Sequence, residues 1–280
     1  MKVTFWGVRG SIATGGSAFA GFGGNTTCLE VEHGPDRIIV DAGTGIRALG
    51  VKLVSEHASL PIPPMRPLEA SLLFTHLHWD HVQGFPFFAP AFRPETELRL
   101  YGPVDEDGVS LEDVLLRQMQ TPTFPVPLKA MAATMSFHSL NSGREFSVGS
   151  IDVTVRSLNH PQGCLGFRFE AGGRSLCFAT DTEHREDGSI DDALLDLGRN
   201  VDLLIHDAQY TDDEYSRRVG WGHSSYAGAA RIAKGCGARS LVLFHHDPAH
   251  DDAFLQRMEN DARGLFPWCL AAREGLSVEV

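Results

Sequence analysis

This chain has little of what marks an exported, membrane-bound or polyanion-coating protein. Its 280 residues carry only five cysteines (Cys28, Cys164, Cys177, Cys236 and Cys269), odd in number, scattered and without a C-x-x-C pair. That spacing argues against a disulfide framework and fits free thiols in a reducing cytoplasm. Positive charge is scarce: 24 Lys and Arg stand against 36 Asp and Glu, a net charge of -12. Such a surface repels phosphate backbones, so a general nucleic-acid coat protein is not expected. No run approaches the ~18 apolar residues of a membrane helix. The opening Met1-Lys2-Val3-Thr4-Phe5-Trp6-Gly7 has no basic region leading into an apolar stretch, so no secretory signal is expected. The remainder, 42% hydrophobic and 21% charged, is ordinary for a globular protein.

Glycine and proline punctuate short β-rich runs throughout. Strands are expected at 2–8, 27–32 and 37–41, with a Gly-rich, mobile loop at 10–25 rimming any site. A helix follows at 45–57, ended by Pro61, Pro63 and Pro64, and then a fully apolar strand at 71–75. A strand at 98–101 and a helix at 111–119 complete the first half. The second half repeats the rhythm, with strands at 151–158, 165–170, 175–180, 201–206 and 241–245, and helices at 190–197, 224–236 and 252–263. Two similar β-then-α halves sharing one core, a single domain over 1–280, is the expected organisation.

One pattern is set aside. Gly43-Thr44-Gly45-Ile46-Arg47-Ala48 fits G-x-G-x-x-A between a strand and a helix. A dinucleotide site would need an acidic residue ending the next strand, where Thr75-His76 stands instead.

The chemistry-bearing motif follows the apolar strand: His76-Leu77-His78-Trp79-Asp80-His81. At strand spacing His76, His78 and Asp80 share a face, and His81 is redirected as the chain turns into a helix. Four titratable groups beside a buried strand are costly unless something satisfies them, and a divalent metal does so best. His160, Asp181 and His245 each lie where an expected strand ends, and together they complete a nitrogen- and oxygen-rich site for two ions, with Asp181 able to bridge. Alternation from Leu241 and Leu243 favours His245 over His246, which becomes a supporting or solvent residue. His206 reads equally as a buried strand residue or a supporting group. His33, His57, His138, His184 and His250 read as surface residues.

With these residues in place, the chain resembles the metallo-β-lactamase superfamily nearly end to end. The resemblance rests on residues 75–81, on Asp41-Ala42-Gly43, and on His160, Asp181 and His245. It implies a four-layer αββα sandwich of the α/β (α+β) class with the site at the strand ends. It also implies two divalent ions, zinc first with manganese or iron as alternatives. His76, His78 and His160 would hold one, Asp80, His81 and His245 the other, and Asp181 would lie between them.

Phe5-Trp6-Gly7 and Gly24-Asn25-Thr26-Thr27 are similar to the start of the tRNA 3′-processing endonucleases and related phosphodiesterases. His206-Asp207-Ala208-Gln209 resembles their His-Glu-Ala-Thr segment, and Gly222-His223-Ser224-Ser225 their His-Ser-Thr motif. The resemblance implies that His223 faces the scissile phosphate and that Asp207 orients it. Only residues 161–180 separate His160 from Asp181, enough for a hairpin and too little for the long tRNA-gripping arm. The expected activity is hydrolysis of a small, possibly cyclic, phosphodiester by a metal-bridging hydroxide, with Asp80 orienting the nucleophile and His223 assisting the leaving oxygen. A thioester or lactone hydrolase and a non-catalytic metal sensor are the competing readings. A cytoplasmic location and a homodimer are expected, with neither tRNA nor membrane as partner. The aromatic segment 85–92 suits core, pocket wall or interface equally.

Overall fold

Strand-forming runs of β-branched and aromatic residues, alternating in and out, organise the chain into two sheets. A computed structural model describes residues 1–59, 67–105, 107–185, 187 and 189–280; the proline run expected to end the first helix lies outside them. In chain order the first half holds β1 (Lys2–Gly7), β2 (Cys28–His33), β3 (Asp36–Val40), α1 (Ile46–Ala58), β4 (Leu68–Leu73), α2 (Trp79–Val82), β5 (Thr96–Pro103), α3 (Leu111–Gln118), β6 (Thr134–Leu140) and β7 (Glu145–Val148). The second holds β8 (Ile151–Leu158), β9 (Cys164–Ala171), β10 (Arg174–Ala179), α4 (Asp192–Gly198), β11 (Leu203–Asp207), α5 (Asp212–Tyr215), α6 (Tyr226–Cys236), β12 (Ser240–Phe244), α7 (Asp252–Leu265), β13 (Cys269–Ala271) and β14 (Ser277–Glu279).

The two halves are topological copies. One sheet has the order β14-β1-β2-β3-β4-β5-β6, the other β13-β12-β11-β10-β9-β8-β7. In each, three strands meander antiparallel (β1–β3, β8–β10), and the next three add in parallel. The last strand of each half then crosses over: β7 pairs with β8, and β14 with β1. Parallel pairing requires crossover connections, and these carry the helices to the outer faces.

Three apolar cores separate four layers. Between the sheets lie Phe5, Val31, Val40, Val155, Phe167, Phe178 and Phe244, among others. Outside the first sheet, Ile46, Leu49 and Leu53 of α1 and Leu115 of α3 pack on Leu72 and Leu100. Outside the second, α4, α6 and α7 contribute Leu197, Ala229, Ile232 and Leu255 against Leu204 and Leu243. The resulting αββα sandwich is the architecture expected from the sequence.

Segment 85–92 divides its roles: Phe85, Phe88 and Ala91 are buried beneath the site, whereas Phe87 and Phe92 are exposed. The glycines of the G-x-G-x-x-A turn serve packing, since a Cβ at Gly43 would meet Thr26 and the Asp80 carbonyl, and one at Gly45 the Trp6 backbone. The loop expected to be mobile is fastened by hydrogen bonds from Arg9 Nε to Gly23 O (2.8 Å) and from the Gly21 and Phe22 amides to Asp252 (2.7 and 2.9 Å).

Phe244 is fully buried, with its ring 5.4 Å from Phe178 and 5.9 Å from Phe5. Phe244→Ala should lower unfolding free energy by about 3–5 kcal/mol. Trp268→Ala, at a 77% exposed position, should stay within about 0.5 kcal/mol. Urea denaturation distinguishes the two; equal effects would refute the layer assignment.

Candidate metal centre

The site forms where the strands of both sheets end. β4 stops at Leu73, and residues 74–78 run as a loop into α2, which starts at Trp79. His76, His78 and Asp80 therefore converge through a loop entering a helix, rather than through strand alternation as the spacing suggested. Asp41 after β3, Asp181 after β10 and His245 after β12 adopt left-handed backbone, with φ of 60°, 50° and 63°. Such conformations cost non-glycine residues about 1–3 kcal/mol each and persist only where the surroundings enforce them. Here they turn a side chain at each strand end toward one point.

All seven residues read from the sequence as metal ligands come together. His76, His78 and His160 form one group whose ligand atoms lie within 4.8 Å of one another, and Asp80, His81 and His245 form another. Asp181 reaches both: Oδ1 is 3.7 Å from His76 Nε2, and Oδ2 is 3.3 Å from His81 Nε2 and from His245 Nε2. Asp80 Oδ2 is also 3.3 Å from both of those imidazoles.

The outward nitrogens explain why these atoms need a cation. His160 Nδ1 donates to Gly222 O (2.9 Å), His81 Nδ1 to Asp41 Oδ2 (2.8 Å) and His245 Nδ1 to Gln209 Oε1 (3.1 Å). His76 Nδ1 donates to Thr75 Oγ1 (3.0 Å), whose own proton goes to Asp41 Oδ2. His78 is reversed: its Nε2 donates to Gln162 Oε1 (2.8 Å), so Nδ1 faces inward. Each partner can only accept, or has already committed its proton, so the neutral ring's remaining nitrogen presents a lone pair. His78 Nδ1 and His160 Nε2 thus face each other at 3.3 Å as two acceptors. His76 Nε2 and His81 Nε2 are buried without a hydrogen-bond partner. Converging lone pairs beside two carboxylates suit divalent metal ions.

The electrostatics agree. Burial works against a charged His81, yet Asp80, Asp181 and Asp41 outweigh it and hold its pKa well above the usual value. The same negative field would attract a cation.

A sixth imidazole completes the site. His223 Nδ1 donates to Asp207 Oδ2 (2.8 Å), and its ring stacks on His245 at 4.9 Å. Burial opposes its charged form, but Asp207 wins and raises the His223 pKa to about 9. Asp207 is itself fixed by the amides of Asp181, Gln209 and Ser224.

Several supports were not singled out from sequence: Gln162 and Gln209, the Asp41 carboxylate that holds His81, and the Ser11 amide that donates to Asp80 Oδ2 at 2.8 Å. Only Asp41 carried a signal, as part of the strand-turn motif. His246 bonds the Ala272 carbonyl (2.9 Å) and takes no part in the site; it is buried, neither a supporting group nor solvent-facing. His250, read as a surface residue, is buried against Phe254 and pairs with Glu214 at 2.8 Å. His206 is a buried strand residue bonded to the Asp207 carbonyl at 2.7 Å.

A profile of the beta-lactamase superfamily domain matches residues 36–246, so the chain belongs to that superfamily. Ribonuclease Z of Natronomonas pharaonis is 24% identical over 94% of this chain and 93% of its own length. Among solved structures, a diphosphatase of the PhnP family aligns over all of this chain and 97% of its own, with a TM-score of 0.70 and 18% identity. Zinc-bound PqqB from Methylobacterium extorquens aligns over the whole of both chains, with a TM-score of 0.70 and 16% identity. The last two similarities establish the fold.

Removing Asp41 would strand His81 Nδ1 and both the amide and hydroxyl of Thr75. Asp41→Ala should therefore destabilise the metal-free protein by about 3 kcal/mol. A urea titration in the presence of chelator measures this, and a loss under about 1 kcal/mol would mean that the carboxylate is not the support described.

Proposed function

We propose that the centre holds two divalent cations, zinc first, and hydrolyses a small phosphodiester. The observation that carries the metal reading is the facing pair of lone pairs on His78 Nδ1 and His160 Nε2. His76, His78 and His160 would hold one cation, Asp80, His81 and His245 the other, with Asp181 spanning them. Five imidazoles and two carboxylates match the donor preference of zinc, and manganese or iron would fit less closely. When bound, such a pair supplies Lewis acidity at a phosphoryl oxygen and lowers the pKa of water from 15.7 to about 7.

The chain's own groups do the rest. Asp80, with Oδ2 anchored by the Ser11 amide, is placed to accept a proton and orient the attacking oxygen. His223 keeps its Nδ1 proton on Asp207. Below about pH 9 the ring is an imidazolium, so Nε2 holds a second proton for the leaving oxygen. A charged donor beside a metal cluster suits a leaving alkoxide on phosphorus, and this favours the phosphodiester over a thioester or lactone. By name, a ribonuclease and a diphosphatase are among the similar proteins, which supports phosphoryl chemistry. Between His160 and Asp181 stands only the β9–β10 hairpin, in keeping with a small substrate and not tRNA. The five buried free cysteines fit a cytoplasmic setting.

Purified protein should hydrolyse bis(p-nitrophenyl) phosphate and lose that activity to a chelator until metal is restored, while thioesters and lactones turn over slowly. Turnover of only the ester substrates would reject the phosphodiesterase reading. His223→Ala should cut kcat at least about 100-fold with metal content unchanged. Because the acid form exists below a pKa of about 9, kcat should fall above that pH. Asp207→Asn removes the stabilising carboxylate, so the falling limb should move to lower pH, toward the ordinary histidine range. A limb that stays in place would assign it to another group.

A further inference from the structure

Two grooves meet beside the metal ligands. One, of about 630 Å³, is polar and includes His76, His78, Gln162 and Asn141. The other, of about 560 Å³, is aromatic, with Trp79, Phe87 and Phe124 in its wall. Val114 and Arg117 of α3 line both, so the grooves are two lobes of one cleft joined at that helix. Gln118 of the same helix ties it to the metal motif by donating to Val82 O at 3.2 Å. Trp79, next in sequence to His78, is 59% exposed, and Phe87 is 56% exposed and meets Phe124 edge-to-face at 5.7 Å. Arg117 is exposed, forms no ion pair among the described residues, and is the one basic side chain those residues contribute to either lobe.

Large apolar rings left in water at the mouth of a polar site need a partner with a flat apolar face. A lone guanidinium where the lobes join, on a chain of net charge -12, calls for an anion beside that face. We propose that the aromatic lobe is a subsite for the base of a nucleotide carried on one ester arm of the substrate, and that Arg117 binds a second phosphate on that arm. The inference rests on the phosphodiesterase reading and narrows it: the substrate's scissile diester joins a nucleotide bearing a further phosphate. The base stacks on Trp79 and Phe87, the second phosphate meets Arg117 at the junction, and the scissile group lies toward His76 and His78.

Three substrates with one leaving group test this: methyl p-nitrophenyl phosphate, thymidine 5′-(p-nitrophenyl phosphate), and the latter with a 3′-phosphate. Adding the nucleoside should raise kcat/KM about tenfold or more through stacking, and Phe87→Ala should remove that gain. Adding the 3′-phosphate should raise it about tenfold again, and Arg117→Gln should remove that second gain alone. Equal kcat/KM for all three substrates would overturn the subsite and leave the phosphodiesterase reading standing. If none is hydrolysed, that reading fails, and binding of thymidine 3′,5′-bisphosphate judges the subsite separately. Quenching of tryptophan fluorescence that Phe87→Ala and Arg117→Gln weaken would support it; the absence of binding, or binding indifferent to both, would overturn it.

Discussion

The arrangement at the site depends on a constraint imposed from outside it: each imbedded imidazole gives its outward proton to an acceptor. Gly222 O, Gln162 Oε1, Gln209 Oε1, Asp41 Oδ2 and Thr75 Oγ1 each fix one ring's tautomer and rotation. An imidazole so held cannot turn its N–H inward to relieve its neighbour. The inner surface is therefore a set of lone pairs and carboxylate oxygens at 3.3 to 3.7 Å, an assembly with no internal solution. The fold spends stability to keep those groups together, and a bound cation returns it by mass action on the native state.

The duplicated topology supplies this constraint twice over. In the first half the carboxylate after β3, Asp41, receives the Thr75 amide from the segment following the neighbouring strand β4. In the second half the exchange runs in the opposite sense: the Asp181 amide, after β10, donates to Asp207 at the end of β11. Both are contacts between adjacent parallel strand ends, and each frees or orients a group for the site. In the first, Asp41 turns His81 inward; in the second, Asp181 is released to face the imidazoles while Asp207 holds His223. The crossover of β7 and β14 ties each half to the sheet of the other, so the two sets of strand ends cannot drift apart without breaking hydrogen bonds in both sheets.

How much of this was legible in the sequence follows from how local each signal is. The long apolar strands and amphipathic helices announced themselves, because burial of one face leaves a period in the residues. Edge strands did not: β6 alternates half-buried and exposed residues, and β13 and β14 are three residues each. The seven ligand-type residues were readable because each ends a strand or opens a helix, where a polar residue stands out against its neighbours. Gln162 was invisible. It lies 84 residues from His78 in the chain, in a loop where glutamine is unremarkable, and only the closed fold shows that it reverses that ring. Gln209, 36 residues from His245, is the same case. Local backbone also defeated the spacing argument at 76–80, since period-two convergence presumed a strand where the chain had already left the sheet.

Charge closes the argument. Asp41, Asp80, Asp181 and Asp207 are four buried carboxylates around a handful of rings, in a chain that already carries a formal excess of twelve negative charges. Burying an uncompensated carboxylate is expensive, and protonated imidazoles can answer only part of it. His76 illustrates the limit: burial and the neighbouring His81 push its pKa well below the ordinary value, so it stays neutral. Two dications would balance four carboxylates while leaving every ligating imidazole uncharged, the state in which a ring can donate its lone pair. His223 then differs from the others for a physical reason. It alone has a carboxylate, Asp207, on its outer nitrogen with no further cation to satisfy, and so it alone is free to carry a proton into the chemistry.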